Sequence, residues 1–446
     1  MSGEVTVTGF GVRTAFGTGA DALRRGVFTG TPSFAPTTRF DTGPYRTPMA
    51  AAAPDGPDAV EEWALRHALG RCGAEALDMA GLPAGTEAAV LLGVAGDHTS
   101  VTRHWRTAAD SPSDKPHPNG SNGSNGSNGS NGADSGGSGG GGGGREASGA
   151  DAAPGARAHG ETVRHATSGS GERAADAVPA HLAELLAQRL GLNGPRLAFT
   201  NACVASSAAI IHACRLISSG RIHTAVCAGG YLVEEETFGK FDSGRALSRD
   251  GMVRPFSLDR SGLLLGDGVA AVVLESAEHA RRRGARPLAT VAGWGAATDA
   301  HHIAQPHPQG AGLARAARQA MRLAGDPEGT ALGYVNAHGT GTRYNDGAET
   351  RGLRAAFPGR AEAIPVSSTK STTGHLLEAA GIVEFVITML ALTDGLLPPT
   401  AGYGRPDPEC DLDYVPNQPR TADLRRALTV NAAFGGANTA IVLERP

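Results

Sequence analysis

The chain has 446 residues, of which 40% are hydrophobic and 19% are charged, and its formal net charge is −4 at pH 7. This composition predicts a large buried core, either as two or more domains or as one large layered domain. The small negative charge gives no indication of a nucleic-acid or membrane partner. The longest apolar run, residues 382–392, contains Glu384 and is too short to span a bilayer.

The N-terminus and the cysteines together indicate a cytoplasmic protein. The first residues, MSGEVTVTGFGVRTAFG, predict a strand and a glycine turn and lack the basic and apolar pattern of a signal peptide. The five cysteines are an odd number and show no CxxC spacing. We therefore expect a reduced protein in the cytoplasm.

Short apolar runs alternate with helical periodicity along most of the chain. The alternation begins again near Arg281 and ends with the run ALTVNAAFGGANTAIVLE. This order predicts a mostly parallel sheet with helices on both faces, in two successive halves that indicate an internal duplication. The predicted strands cover residues 5–9, 88–94, 197–201, 224–228, 269–274 and 288–291, and predicted helices cover 59–77 and 180–191.

One segment, residues 107–171, differs from the rest in composition. Its centre, residues 119–144, repeats Ser-Asn-Gly and then becomes almost pure glycine. Such a sequence buries too little apolar surface to offset its ordering entropy, so it is predicted to be disordered. An engineered linker would have the same composition. We expect its removal to leave folding intact.

The segment FTNACVASSAAI places Cys203 between a predicted buried strand, RLAFTN, and a predicted helix over residues 204–220. Unpaired amides and the dipole at a helix N-terminus would lower the pKa of a thiol there. The alternative is that Cys203 is an inert buried cysteine. We keep that interpretation for Cys72, Cys214, Cys227 and Cys410.

Two histidines lie in glycine-rich turns after predicted strands. His338 is part of VNAHGTGTRYND, and His375 is part of SSTKSTTGHLLEAAG, five residues after Lys370. One cysteine and two such histidines form a candidate nucleophile with imidazole partners.

The segments NACVASSAA, NAHGTGTRYNDGAE, STKSTTGHLLEAAGIVE and NAAFGGANTAIVL resemble the signatures of the β-ketoacyl-acyl carrier protein synthases. The sequence is most similar to the type II elongating ketosynthases of the thiolase-like superfamily. The resemblance implies a thiolase-like, layered αβαβα fold built from two duplicated halves with mostly parallel, mixed sheets. Residues 1–284 would carry the cysteine, with the 107–171 insert, and residues 285–446 would carry both histidines.

The resemblance also implies roles for the catalytic residues. Cys203 would be the nucleophile that accepts the acyl chain, and His338 and His375 would hydrogen-bond the thioester carbonyl of the extender unit. Lys370 would hold the polar network around His375, with Glu384 in support.

Further residues match the family's binding segments. The amides of Cys203 and Phe434 would form the oxyanion hole, and the Phe434 side chain would act as a gate. Four more residues would line the phosphopantetheine and substrate path, namely Thr340 and Thr342 and, in a second gating loop, Asp299 and His302.

The implied reaction is transfer of an acyl chain to Cys203 and then decarboxylative condensation with a malonyl unit. Substrates would arrive on the phosphopantetheine of an acyl carrier protein, and neither a tightly bound cofactor nor a metal is expected. The partner would be a second copy or a chain-length-factor-like subunit. The glycine, alanine and arginine content and the insert favour polyketide over fatty-acid biosynthesis.

Several positions depart from the family pattern. Ala433 stands where a glycine often precedes the gating phenylalanine, and its Cβ restricts the loop. Ser261, Leu263 and Ala304 replace an aspartate, a phenylalanine and a threonine. Glu378 replaces a glycine; we favour a solvated charge on a helix face over an effect on the electrostatics of the site.

Alternative functions follow from these departures. The chain could cyclise or transfer the acyl group bound to Cys203 without elongating it. It could also be a non-catalytic chain-length subunit, although such subunits generally lack the cysteine.

The histidines of DAHHIAQPHPQG are assigned to the second gating loop rather than to a metal, and the arginines of residues 281–286 to a solvated helix end.

Overall fold

A computed structural model describes residues 3–53, 64–98, 102 and 174–446. The segment predicted to be disordered, residues 107–171, and the start of the helix predicted over residues 59–77 lie outside the described residues. Within those residues, no helix is long and apolar enough to cross a membrane.

The described residues form fifteen strands. They are β1 (Val5–Thr14), β2 (Gly17–Thr18), β3 (Ala35–Pro36), β4 (Met49–Ala50), β5 (Ala89–Gly93), β6 (Arg196–Phe199), β7 (Thr224–Tyr231), β8 (Gly268–Ser276), β9 (Ala289–Thr298), β10 (Leu332–Asn336), β11 (Val366–Ser367), β12 (Leu396–Leu397), β13 (Arg420–Thr421), β14 (Arg426–Ala432) and β15 (Ala437–Glu444).

Ten α-helices connect these strands in the part of the chain that the structure describes. They are α1 (Ala20–Gly26), α2 (Leu65–Ala80), α3 (Pro179–Leu190), α4 (Ala205–Ser218), α5 (Glu235–Ser243), α6 (Ala277–Arg282), α7 (Ala311–Leu323), α8 (Asn345–Ala356), α9 (Lys370–Thr373) and α10 (Ala380–Asp394). Short 3₁₀ turns cover Ala175–Ala177, Ala202–Val204, Ala361–Ala363, Leu377–Ala379 and Phe434–Gly436.

The main sheet repeats one strand order in its two halves. The first half runs β6-β5-β7-β8-β1, and the second runs β11-β10-β14-β15-β9. In both halves the first two pairings are parallel and the next two are antiparallel. An antiparallel pairing between β1 and β9 joins the halves into a single mixed sheet.

Alternate residues of the strands face different cores, as a period of two requires. In β8, Val272 and Leu274 pack with α4 and α10 in a central core, whereas Val269 and Val273 pack with α2 and α3 in an outer core. A second outer core lies between α7, α8 and the strands of the second half. Each half of the continuous sheet therefore forms one layer, with α4 and α10 between the two halves and further helices outside each. The layers alternate helix, sheet, helix, sheet, helix, which confirms the predicted fold class.

Strand β1 is longer than its sequence indicates. Residues 5–9 were expected to form the strand and the following glycines a turn, but the strand continues to Thr14. A Cβ on Gly9 would lie 2.1 Å from the Ala76 carbonyl oxygen, and one on Gly11 would lie 2.2 Å from that of Cys72. These glycines therefore allow α2 to lie directly on the strand rather than turning the chain.

Strand β6, expected to be buried, is instead at the edge of the sheet. Arg196 and Leu197 are exposed, and Ala198 and Phe199 are half-buried. Its apolar pattern correctly predicted a strand. The predicted burial was wrong because, within the described part of the chain, β6 pairs only with β5.

Candidate active site

The turn that follows β6 holds Cys203. Ala202 has a φ of 51°, which is unusual for a residue with a Cβ, and the 3₁₀ turn Ala202–Val204 leads directly into α4. The Cys203 side chain is only 6% exposed. A strained turn between a strand and a helix thus fixes the direction of the thiol.

Two histidines from the second half of the chain approach this thiol. His375 Nε2 lies 3.2 Å from Cys203 Sγ. The His338 ring centre is 5.3 Å from that of His375, with the two rings nearly perpendicular at 85°. The structure therefore brings together the three residues that the sequence indicated.

Backbone contacts hold both histidines. The His375 amide donates to the Leu264 carbonyl at 2.7 Å, and its own carbonyl accepts from Gly266 at 3.1 Å, which ties it to the segment before β8. His338 follows β10 by two residues, and the neighbouring Ala337 amide donates to Ser367. These hydrogen bonds anchor His375 to the segment before β8 and the residue before His338 to β11.

The thiol and both imidazoles are neutral in this environment. Burial, and then the nearby Glu378 carboxylate, raise the pKa of Cys203 to about 12. Burial, and then the positive charge of Lys370, hold the pKa of both His338 and His375 well below the usual value. The predicted lowering of the Cys203 pKa is therefore wrong, because the loss of hydration outweighs the helix N-terminus.

Lys370 and Glu384 form a buried ion pair behind His375. Lys370 Nζ and Glu384 Oε1 are 2.5 Å apart, and their side chains are 1% and 2% exposed. Asn431 donates a hydrogen bond to the second oxygen of Glu384. The positive charge of Lys370 therefore acts on both imidazoles, while Glu384 balances it and the surrounding protein shields it from solvent.

Glu349 is a site residue that the sequence interpretation missed. Its two carboxylate oxygens accept hydrogen bonds from the backbone amides of His338 and Gly339, both at 2.7 Å. Burial raises the pKa of Glu349 to about 7. The sequence offered one indication of this role, since Glu349 lies in the segment NAHGTGTRYNDGAE, eleven residues after His338.

A cavity of about 720 Å³ opens from the cysteine and histidines toward the surface. Thr340 and Thr342 line it, and their hydroxyls are hydrogen-bonded to each other at 2.8 Å. Ser261, at the position of the family's usual aspartate, also lines the cavity and hydrogen-bonds Ser248. Cys203, His338 and His375 all line the same cavity as these hydroxyl groups.

Phe434 stands at the wall of the cavity. It is 52% exposed, and its ring stacks on Phe241 at 5.7 Å. Ala433 adopts extended backbone, with φ −137° and ψ 158°, which alanine accommodates without strain. The positive φ angles of this loop fall on Gly435 and Gly436, so the alanine does not restrict the observed conformation.

Asp299 and His302 hold their own loop together. The Asp299 carboxylate accepts hydrogen bonds from the amides of His307 and Gly312, although Asp299 also lines the cavity. The ring of His302 accepts from the Ala304 amide and is not part of the cavity wall. Among the described residues, no cluster of histidine, cysteine and acidic side chains has the arrangement of a metal site.

Cys203 also borders a second, smaller pocket of about 200 Å³. Glu378 lines this pocket and is half-buried. The preferred interpretation of Glu378 as a solvated charge on a helix face is therefore wrong, because Glu378 lies in the 3₁₀ turn Leu377–Ala379 and lines the pocket that Cys203 borders. Its negative charge contributes to the raised pKa of the thiol.

Comparison with known proteins agrees with this geometry. Two family models match the sequence, "Beta-ketoacyl synthase, N-terminal domain" over residues 135–280 and "Beta-ketoacyl synthase, C-terminal domain" over residues 288–404. The solved structure of the ishigamide ketosynthase/chain length factor is similar over 100% of both chains, with a TM-score of 0.81 and 27% sequence identity.

Curated relatives include a 3-oxoacyl-acyl-carrier-protein synthase and a ketoacyl synthase subunit of a polyketide synthase. The chain is 40% identical over 280 residues to the 3-oxoacyl-acyl-carrier-protein synthase 2 of Vibrio harveyi, covering 60% of this chain and 67% of that protein. It is 39% identical over 278 residues to the tetracenomycin polyketide synthase ketoacyl synthase alpha subunit of Streptomyces glaucescens, covering 60% of this chain and 64% of that protein. The chain belongs to the β-ketoacyl synthase family.

Proposed function

We propose that this protein is a β-ketoacyl synthase that extends an acyl chain held on Cys203 by decarboxylative condensation with a malonyl thioester. The observation that carries the proposal is the contact between His375 Nε2 and Cys203 Sγ, with His338 beside it at the inner end of one cavity. A neutral thiol next to a neutral imidazole suits a proton transfer coupled to acylation.

In the first half-reaction the Cys203 sulfur attacks the carbonyl carbon of the incoming thioester. The thiol proton passes to His375 Nε2, and the carbonyl oxygen becomes an oxyanion. The oxyanion is stabilised by the amides of Cys203 and Phe434; the amides of Ala433, Gly435 and Gly436 already donate to backbone carbonyls. The carbon–sulfur bond to the donor then breaks, and the departing sulfur takes the proton from His375.

In the second half-reaction the carbon–carbon bond to the malonyl carboxylate breaks and CO₂ leaves. The electron pair of that bond becomes an enolate, whose oxygen accepts hydrogen bonds from His338 and His375. The enolate carbon attacks the Cys203 thioester, and a new carbon–carbon bond forms. The Cys203 sulfur leaves as a thiolate, and one proton from solvent restores the thiol.

The cavity supports a substrate delivered on a long arm. The polar threonine pair along its wall suits the amides of phosphopantetheine, so an acyl carrier protein is the proposed donor. The mechanism requires no tightly bound cofactor, since the carboxylate that leaves supplies the electron pair for carbon–carbon bond formation.

The exposed edge of the sheet supports a dimer. Among the described residues, strand β6 pairs with β5 alone, so its outer edge is free, and its Leu197 is 37% exposed next to an open groove that Phe199 and His212 line. Pairing of β6 with the same strand of a second copy would continue the sheet across a twofold axis. A chain-length-factor-like subunit of the same fold would fit the same edge.

The experiment that tests the proposed function measures loading and decarboxylation separately. Wild-type protein mixed with an acyl carrier protein should gain the mass of one acyl group, and Cys203→Ala should gain none. His338→Ala should still load but release labelled CO₂ from malonyl-carrier protein on the order of 100-fold more slowly. Equal CO₂ release by wild type and His338→Ala would contradict the proposed role of the imidazole.

A further inference from the structure

The larger cavity has an aliphatic wall close to its reacting groups. Leu263, Ala432 and Ala433 line the cavity together with the Cys203 thiol and the two imidazoles. Leu263 precedes the residue whose carbonyl accepts the His375 amide at 2.7 Å, and it packs in the same central core as Cys203. The Leu263 side chain is 4% exposed. It therefore belongs to the buried part of the wall, close to the groups that react.

Backbone hydrogen bonds hold Leu263 on both sides. Its amide donates to the Ala246 carbonyl at 2.9 Å, and its carbonyl accepts from the Ser248 amide at 2.8 Å. The preceding Gly262 packs directly on this segment, since a Cβ there would lie 2.5 Å from the Ala246 carbonyl oxygen. The size of the side chain at position 263, rather than movement of the backbone, therefore sets the room at this part of the wall.

Three departures from the family pattern reduce the volume of side chains on this one cavity. Ser261, Leu263 and Ala304 all line it, and each is smaller than the aspartate, phenylalanine or threonine that it replaces. Ser261 and Ala304 are exposed, whereas Leu263 is buried. Ala433 adds one methyl group where a glycine is common, which is less than leucine gives up relative to phenylalanine. The net gain of room therefore lies at Leu263.

The proposed condensation has a use for apolar room at this point. While His338 and His375 bind the enolate oxygen, C2 of the extender unit is bonded to the carbon that bears this oxygen, so C2 also lies beside the imidazoles. In a malonyl unit C2 carries hydrogen besides its two carbonyl carbons. An alkyl group on C2 needs an apolar surface next to the imidazoles, and Leu263 supplies one.

We propose that Leu263 is a specificity-determining residue that admits extender units with a short alkyl group on C2, of which methylmalonyl is the simplest. This inference rests on the proposed function. The carbon–carbon bond to the carboxylate breaks, CO₂ leaves, and C2 keeps the electron pair together with its methyl group. C2 then attacks the carbonyl carbon of the Cys203 thioester. The sulfur leaves as a thiolate that one proton from solvent neutralises, and the carrier protein holds a 2-methyl-3-ketoacyl chain.

The test offers both extender units to the same acyl-enzyme. Protein loaded with an acyl chain on Cys203 receives equal amounts of malonyl- and methylmalonyl-carrier protein, and mass spectrometry of the carrier gives the ratio of the two products. Wild-type protein should form the methylated product at a rate within about tenfold of the rate for malonyl. Leu263→Phe should lower the ratio of methylated to unmethylated product by about tenfold or more, because one methyl group in a tight pocket changes rates by that factor.

Two further variants separate the cavity wall from general damage. Leu263→Ala enlarges the space and should raise the ratio of methylated to unmethylated product. Leu258→Phe, at an exposed position outside the cavity wall, should keep the wild-type ratio. A wild type that forms only the unmethylated product, or equal ratios in Leu263→Phe and Leu263→Ala, would overturn this inference alone. Absence of both products with the wild type would overturn the proposed function as well.

Discussion

The chemistry at the scale of single residues depends on how burial changes charge. The sequence identified Cys203, His338, His375 and Lys370, because each lies in a distinctive glycine-rich or small-residue segment. It predicted the wrong direction for the Cys203 pKa, because a local pattern of strand, turn and helix does not report how deeply the thiol is buried. Glu349 was missed, and Glu378 was interpreted as a solvated charge, for the same reason, since their surroundings come from residues brought together by the fold.

The thiol should become more reactive when Glu378 loses its charge. Glu378→Gln removes a negative charge that, after burial, is the largest cause of the raised Cys203 pKa, so the pKa should fall. Below the pKa the thiolate fraction rises about tenfold per pH unit. Alkylation of Cys203 by iodoacetamide should therefore be faster in the variant at every pH from 7 to 9.

The matched control for this prediction is Glu278→Gln. Glu278 pairs with Arg282 on an exposed face of α6, so its removal should leave the alkylation profile unchanged. Superimposable profiles for Glu378→Gln and the wild type would show that the carboxylate does not act on the thiol.

The buried pair of Lys370 and Glu384 should show strong coupling. Lys370→Met leaves Glu384 charged and without its counter-ion, which should cost about 3–5 kcal/mol in the free energy of unfolding. Glu384→Gln should have a similar cost, but the double variant should lose much less than the sum. Urea denaturation of all four proteins measures the coupling, and additivity within about 0.5 kcal/mol would contradict it.

At the scale of elements, the alternation of strands and helices was correctly predicted from period and composition. The existence of β1, β5, β6, β7 and β8 follows from short apolar runs between turn residues. The end of β1 did not follow, because glycine was taken as a turn signal, and the exposure of β6 did not follow, because its place at the edge of the sheet is set by the fold. In β1 glycine marks close packing against α2, and this contact between distant segments is not encoded in the local pattern.

The two central helices, α4 and α10, should tolerate no added volume where they cross. A Cβ on Gly381 would lie 2.7 Å from both the backbone nitrogen and the Cβ of Ser207. Gly381→Ala should therefore lower the free energy of unfolding by about 1–3 kcal/mol. It should also slow the loading of Cys203, because Ser207 lies one turn after the nucleophile.

Gly239→Ala is the control for this crossing. Gly239 is also in a helix, α5, but its added Cβ would meet Tyr45 at an ordinary 3.5 Å. This substitution should stabilise the protein by about 0.5–1 kcal/mol. Equal effects of the two substitutions in chemical denaturation would argue against tight packing of α4 on α10.

At the scale of the whole molecule, the repeated strand order places the nucleophile and the histidines opposite each other. Cys203 follows β6 in the first half, and His338 follows β10 in the second half. The central helices contact both halves, so the site exists only when the halves are packed together. The sequence indicated two halves, but the pairing of β1 with β9 that joins them could not be deduced from spacing.

Self-association should depend on the edge strand β6. Leu197→Arg places a charge on this strand and should convert a dimer to a monomer in size-exclusion chromatography with light scattering. Leu323→Arg, at the exposed end of α7, should leave the dimer intact. A wild-type protein that is monomeric alone would contradict self-pairing and direct the search to a chain-length-factor-like partner.

The most direct test of the central claim is the mass of the carrier protein after one turnover. Protein loaded with an acyl chain on Cys203 is separated from its donor and mixed with malonyl-carrier protein. The account predicts that the carrier loses CO₂ and gains the acyl group, so that it carries a β-ketoacyl chain, while Cys203 returns to its free mass. Departure of the acyl chain as a ring or an ester, with the malonyl group intact, would contradict the proposed condensation.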